Sequence, residues 1–332
     1  MSSVSNNASN KGNVPEFSVI PLDTIPALVF MVFILVINSC VVLLLSCFSN
    51  LKTTSNIILA SLGVSDFLVG FVGIPLLVAC SSTFLSPVCV SSYTFFTFMS
   101  MSTVLHITVM TCDRYIYIIW ALRYDSIVQT NRVLTVLGLT WFISLTSLVR
   151  LSWTWNVNMN TAKEELALLW EKEAIYLSFK FIAFFFIPLI VMSVLDARML
   201  LLLRRQCQRI ARENLPAEFM KREKKMQMRQ RRAVITCVLL LTLYVIFWLP
   251  FFVLELIHHH FGDQFGAPRP VTITIYYLRL CPSLFNPLIY TLRKHDLKKA
   301  LKSICRKVFP CYRGYLLRRE PEQIPLSCPT YV

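Results

Sequence analysis

Charged residues are scarce in this chain: Asp, Glu, Lys and Arg make up 15% of its 332 residues, against about a quarter in a soluble protein. Glycine is scarce as well, with 8 residues, while hydrophobic residues reach 55% and phenylalanine alone numbers 24. That balance argues against a water-soluble globule. The first 23 residues, ending "EFSVIPLDT", lack a basic start and an early apolar core, so no cleaved signal peptide is expected. Metal-ligand spacing is missing too, because His258, His259 and His260 are adjacent and would point in different directions on a helix. Neither internal repeats nor a polar pore lining is evident, which disfavours a transporter or channel. No enzymatic chemistry is expected.

Long apolar runs are what the chain does have. They cover roughly 24–48, 55–80, 88–118, 132–155, 174–203, 232–258 and 271–292, each near the ~20 residues that a bilayer-spanning helix needs. Strands are excluded by run length and by the need of every backbone group in lipid for an internal partner. The sequence therefore predicts an all-α membrane protein, a bundle of seven transmembrane helices.

Lys and Arg set the expected orientation. Arg204, Arg205, Arg209, Lys221, Lys225 and Arg231 fall between the fifth and sixth runs, and Arg293, Lys294, Lys298, Lys299 and Lys302 follow the seventh. On the opposite side Lys163 and Lys172 are outnumbered by Glu164, Glu165, Glu171 and Glu173. The positive-inside rule then places the N-terminus outside and the C-terminus in the cytosol of a plasma-membrane protein. The net charge of +15 is mostly this topology signal, reinforced by anionic lipid headgroups, and it does not indicate nucleic-acid binding. Asn7-Ala8-Ser9 is a glycosylation acceptor on the expected outer side. Of 11 cysteines, only Cys80 and Cys89 approach the oxidising face.

Motifs fall along these runs in a fixed order. They are Asn38, "LGVSDFLVG" around Asp66, Asp113-Arg114-Tyr115, Trp141, Pro188, "FWLP" (Phe247 to Pro250) and "NPLIY" (Asn286, Pro287 to Tyr290). Together they resemble the rhodopsin-like (class A) G-protein-coupled receptors over about residues 24–310. The resemblance implies an N-terminal tail (1–23), a receptor bundle (24–293), an amphipathic surface helix (294–310) and a cytosolic tail (311–332). It also implies transduction of an extracellular small-molecule signal to a heterotrimeric G protein, with arrestin as a further partner. A constitutively active or chaperone-like receptor without a ligand is the alternative.

The residues read alone agree with this. Pro188, Pro250 and Pro287 each remove a backbone hydrogen bond in mid-helix, and Asp66 and Asn286 are costly polar groups at membrane depth. In the family, the Asp66 region resembles a sodium-binding pocket with Thr103 beside it, although Pro282 and Arg279 depart from the pattern. The resemblance places Arg114 where a G protein inserts. The acid that often restrains it from helix six is here Gln230, flanked by Arg229, Arg231 and Arg232. Asp196 on helix five stands at about the same depth, so the counter-charge is expected to have moved there.

At the outer end the family's cysteine atop helix three corresponds to Cys89. Its usual partner is absent, since "NVNMNTAKEELALLWEKEA" contains no cysteine; Cys89 is either free or bonded to Cys80. Phe96 stands where amine receptors keep a carboxylate, and Leu280 where a retinal pigment keeps its lysine. The expected pocket is aromatic, built from Phe96, Trp248 and Tyr276 with Lys180 and Glu255. Lys180 either pairs with Glu255 or receives an acidic group of a ligand. After "NPLIY", Leu297, Ala300, Leu301, Ile304 and Val308 recur at helical spacing between bases, as in a helix lying on the membrane surface. Cys305 and Cys311 near its end are acylation candidates. The terminal Thr330-Tyr331-Val332 is similar to ligands of PDZ domains.

Overall fold

The computed structural model describes residues 24–48, 51, 53–83, 86–155, 163–212, 217–261, 268–293, 297–298 and 301. Helices and short turns account for these residues, and no strand occurs among them. The helix α1 (Ile25–Cys47) shows the packing rule. Ala27, Ile34, Asn38, Val41 and Leu45 are buried on one stripe, while Val29, Val32, Phe33, Val36 and Leu43 are half exposed or more on the other. So much outward apolar surface suits lipid and not water.

Five further helices are long and apolar enough to cross a bilayer. They are α2 (Thr54–Thr83), α3 (Ser86–Ile119), α4 (Thr130–Thr154), α5 (163–212) and α6 (Ala217–Phe261). The seventh crossing is split into α7 (Arg269–Leu278) and α8 (Cys281–Arg293), where the sequence predicted one continuous run. The amide of Leu280 turns back to the carbonyl of Tyr277 at 2.9 Å, and Pro282 has no N–H to offer the carbonyl of Leu278. The chain is a multi-pass membrane protein with seven helical crossings.

Helix α3 is central, touching α2, α4, α5 and α6, while α1 closes the ring against α2 and α8. Close approach needs small residues: a Cβ on Gly70 would lie 3.1 Å from the side chain of Ile34 on α1. Two prolines shape the bundle through π turns, Val69–Gly73 ahead of Pro75 and Ile182–Phe186 ahead of Pro188. A proline ring displaces the carbonyl four residues back. For Pro188 that carbonyl belongs to Phe184, and it accepts a hydrogen bond from the Tyr244 hydroxyl of α6 at 2.8 Å. The kink in α5 thus becomes a tie to α6. Pro250 and Pro287 sit inside α6 and α8 without ending either helix.

Helix limits run past the apolar blocks. The helix α6 begins at Ala217 within the Lys/Arg-rich stretch, and α5 begins at Lys163, inside the expected outer loop. Both extensions are built from good helix formers such as Glu, Lys, Leu and Met, which continue a helix beyond the bilayer. Of the segment expected to form a surface helix, the described residues include Leu297, fully buried, Leu301, packed on the same core, and Lys298, exposed. Asn7, Cys305, Cys311, the two tails and the terminal Thr-Tyr-Val lie outside the described residues.

Candidate functional site

Three polar layers cross the bundle. At one end, Asp113 and Arg114 pair at 3.4 Å, the Tyr124 hydroxyl donates to the other Asp113 oxygen at 2.7 Å, and Arg114 donates to the Ser55 hydroxyl of α2. Tyr115 turns its ring to the edge of Trp120 instead. The counter-charge expected from α5 is not in contact. Asp196 is buried with neither carboxylate oxygen hydrogen-bonded, and no ion pair joins it to Arg114. Gln230 is buried on α6, and it makes no hydrogen bond to Arg114 among the described residues. Arg114 is held by its own helix and by α2, and among the described residues α5 and α6 place no hydrogen bond or ion pair on it.

In the middle layer Asn286 donates to Asp66 at 3.3 Å, Asp66 Oδ1 is buried without a partner, and Asn38 donates to the carbonyl of Ser283 at 2.9 Å. A sodium ion is met only in part here. The unpartnered Oδ1 suits it, but Thr103 makes no hydrogen bond to Asp66 and Asn286 turns its amide N–H to the carboxylate. Tyr290 is buried nearby with its hydroxyl unpartnered. A second hydrogen-bonded series in this layer, marked by no motif in the sequence, is centred on the fully buried His106. Its Nδ1 lies 2.7 Å from the carbonyl of Ser102, which can only accept, so Nδ1 carries the proton. Nε2 then accepts from the Ser61 hydroxyl at 2.8 Å, and Ser61 accepts from the Trp141 indole at 3.1 Å. Every donor has an acceptor, so α2, α3 and α4 are locked together. An isolated histidine carries no periodic signal, which is why only the fold reveals it.

At the opposite end Lys180 of α5 and Glu255 of α6 pair at 2.5 Å. The Tyr93 hydroxyl of α3 donates to the other oxygen of Glu255 at 2.5 Å and accepts from Lys180 at 3.0 Å. Arg150 of α4 lies 4.1 Å from the centre of the Tyr93 ring and binds Glu173 at 2.8 Å. Below this layer is a narrow cavity of about 10 Å³, lined by Lys180, Trp248, Phe251, Phe252 and Arg279. Of the predicted pocket residues, Lys180 and Trp248 line it. Phe96 instead stacks on Arg279, Glu255 is turned to Lys180, and Tyr276 is half exposed. Tyr93, Arg150 and Arg279 were missed as site residues. Their basic and aromatic character was visible, but not their convergence.

Cys80 and Cys89 are bonded in the structure, with Cα atoms 4.7 Å apart, within disulfide reach. Mass mapping of intact protein is expected to recover one peptide linking them. A peptide joining Cys89 to any other cysteine overturns that assignment. Among the described residues no group of three or more His, Cys, Asp or Glu is placed to hold a metal ion, and His259 stacks on Trp170 at 4.6 Å.

The sequence is similar to known proteins. The family model for the 7 transmembrane receptor (rhodopsin family) matches residues 37–290. The adenosine receptor A2a of Canis lupus familiaris is 25% identical over 289 residues, covering 82% of this chain and 68% of that receptor. The histamine H2 receptor of Cavia porcellus is 23% identical over 310 residues, 89% of this chain and 84% of its own length. The α1A adrenergic receptor of Mus musculus is 25% identical over 235 residues, and this chain spans half of it, 50%.

Proposed function

We propose, because the chain belongs to the rhodopsin family of seven-transmembrane receptors, that it converts an extracellular small-molecule signal into activation of a heterotrimeric G protein at the plasma membrane. The observation that carries this reading is Arg114: a cation at the end of the central helix, tied to Asp113 and Ser55 and, among the described residues, by no hydrogen bond or ion pair to α5 or α6. Lys and Arg crowd the connections on that side, which supports a cytosolic location for it. A G protein, and arrestin after it, would meet this face, while the Lys180 end faces outward. Asp66 Oδ1 is the oxygen that would hold a sodium ion.

An amine ligand fits poorly. The face of Phe96 is covered by the Arg279 guanidinium at 4.8 Å, and Glu255 is already taken by Lys180, so Arg279 leaves an excess positive charge. An incoming ammonium would meet like charge in a medium that screens little.

The second reading, signalling without a ligand, is favoured by Gln230. A receptor's two states differ by a few kcal/mol, so one missing restraint shifts their populations measurably. Asp196, unpartnered here, is available to Arg114 once α5 and α3 approach. In reconstituted membranes at matched receptor density, ligand-free GTP turnover should fall in Gln230→Glu, which gives Arg114 an acid on α6. It should fall also in Asp196→Asn. A rise in the second variant reverses the role of Asp196. No GTP turnover with any G protein, with or without ligands, would sink the receptor reading.

A further inference from the structure

The buried charges at the Lys180 end do not cancel. Arg150 is paired with Glu173, and Lys180 with Glu255. Arg279, at the break between α7 and α8, is 8% exposed and forms no ion pair or hydrogen bond among the described residues. Its Nη1 is buried without a partner. An unpaired charge at such depth is costly, and charges that survive there usually serve function.

The surroundings of Arg279 are specific. Its guanidinium carbon lies 4.8 Å from the centre of the Phe96 ring and 4.6 Å from that of Phe251. Two rings therefore cover the planar cation, while its N–H donors lie in its own plane. That fork matches a carboxylate bidentately. The residue also lines the cavity with Phe184, Trp248, Phe251 and Phe252, beside the paired Lys180 and the hydroxyls of Thr97 and Ser100, so the space next to the fork is largely aromatic.

We propose that Arg279 anchors an acidic group on the ligand of this receptor, a single carboxylate carried by a flat apolar body. The inference rests on the small-molecule receptor reading and names the ligand class within it. One excess positive charge calls for a monoanion, and a dianionic phosphate would leave a charge of the other sign. At about 10 Å³ the cavity has room for roughly one water, so the apolar body enters only if the rings of Trp248, Phe251 and Phe252 part. Binding then separates α6 from α3 above Pro250. The ligand pairs with Arg279 on the α7–α8 side of that opening.

The test uses purified full-length receptor in detergent and thermal unfolding, with phenylacetate as the probe and phenylacetamide and phenethylamine as its neutral and cationic counterparts. Millimolar phenylacetate is expected to raise the unfolding temperature by about 2–4 °C, and neither counterpart should. Arg279→Met should abolish the rise, and it should leave ligand-free unfolding unchanged or slightly raised, since it removes an unpaired charge at similar volume. Arg279→Lys, which keeps the charge without the fork, should retain only part of the rise. A similar rise in Arg279→Met, a rise with the amine instead, or no rise with the acid overturns the proposal. A clearly lowered ligand-free unfolding temperature in Arg279→Met also overturns it, because the guanidinium would then be a structural tie. No G protein enters this readout, so failed coupling in reconstituted membranes counts against the receptor reading alone.

Discussion

Arg114→Ala is expected to reach the cell surface and to activate no G protein. The fold should tolerate the change, because Asp113 keeps its bond from Tyr124 and the Ser55 hydroxyl remains near polar groups at the bundle end. Coupling should not tolerate it. Truncating one member of a desolvated charged interaction costs about 2–5 kcal/mol, which is roughly 30-fold to more than 1000-fold in an equilibrium. Guanine-nucleotide exchange at matched surface expression is the measurement. Exchange within threefold of the parent would remove Arg114 from the coupling machinery and leave its ties to Ser55 and Asp113 as packing.

Glu255→Gln should lower the unfolding temperature more than any other single change at the Lys180 end. The Lys180 and Glu255 side chains are 3% and 10% exposed, and removing one member of a buried pair strands the other. The cost is about 3–5 kcal/mol, a drop of roughly 10 °C in unfolding temperature for a bundle this size. Lys180→Met combined with Glu255→Leu should recover most of that loss, because an apolar pair needs no counter-charge. If the double variant is as unstable as the single one, the Tyr93 hydroxyl, not the ion pair, is what joins α3 to α5 and α6.

Elements set by one-dimensional patterns were legible before the fold. Six apolar runs became six long helices, and Asp66, Asn286, Lys180 and Glu255 were picked out because a charge or amide stands out against lipid-length apolar sequence. The pairing of Lys180 with Glu255 was one of two alternatives open in the sequence, because each sits at a countable distance from a proline that fixes its depth, and the structure shows the pair. Arg114 and its neighbouring partner Asp113 were equally conspicuous, but the contact to a second helix was not. Depth alone points to Asp196, whereas azimuth decides contact, and α2 supplies Ser55. The break at Arg279 was hidden for a related reason. Pro282 departs from the family pattern, but whether a proline kinks a helix or splits it depends on which neighbours satisfy the freed carbonyls. Pro188 shows the other outcome, with Tyr244 supplying the missing donor.

The length of α6 sets how a signal is read at a distance. This helix has 45 residues with Pro250 near its far end, so Gln230 lies about 30 Å from the proline and Ala217 about 50 Å, at 1.5 Å per residue. Acting as a stiff lever, α6 turns a tilt of about 10° at Pro250 into a displacement of roughly 5 Å at Gln230 and 9 Å at Ala217. The rings around the cavity sit at the short arm. A shift there of about one atomic radius is multiplied severalfold before it reaches the layer of Arg114, and the buried Val234, Cys237 and Tyr244 of α6 must repack as it passes.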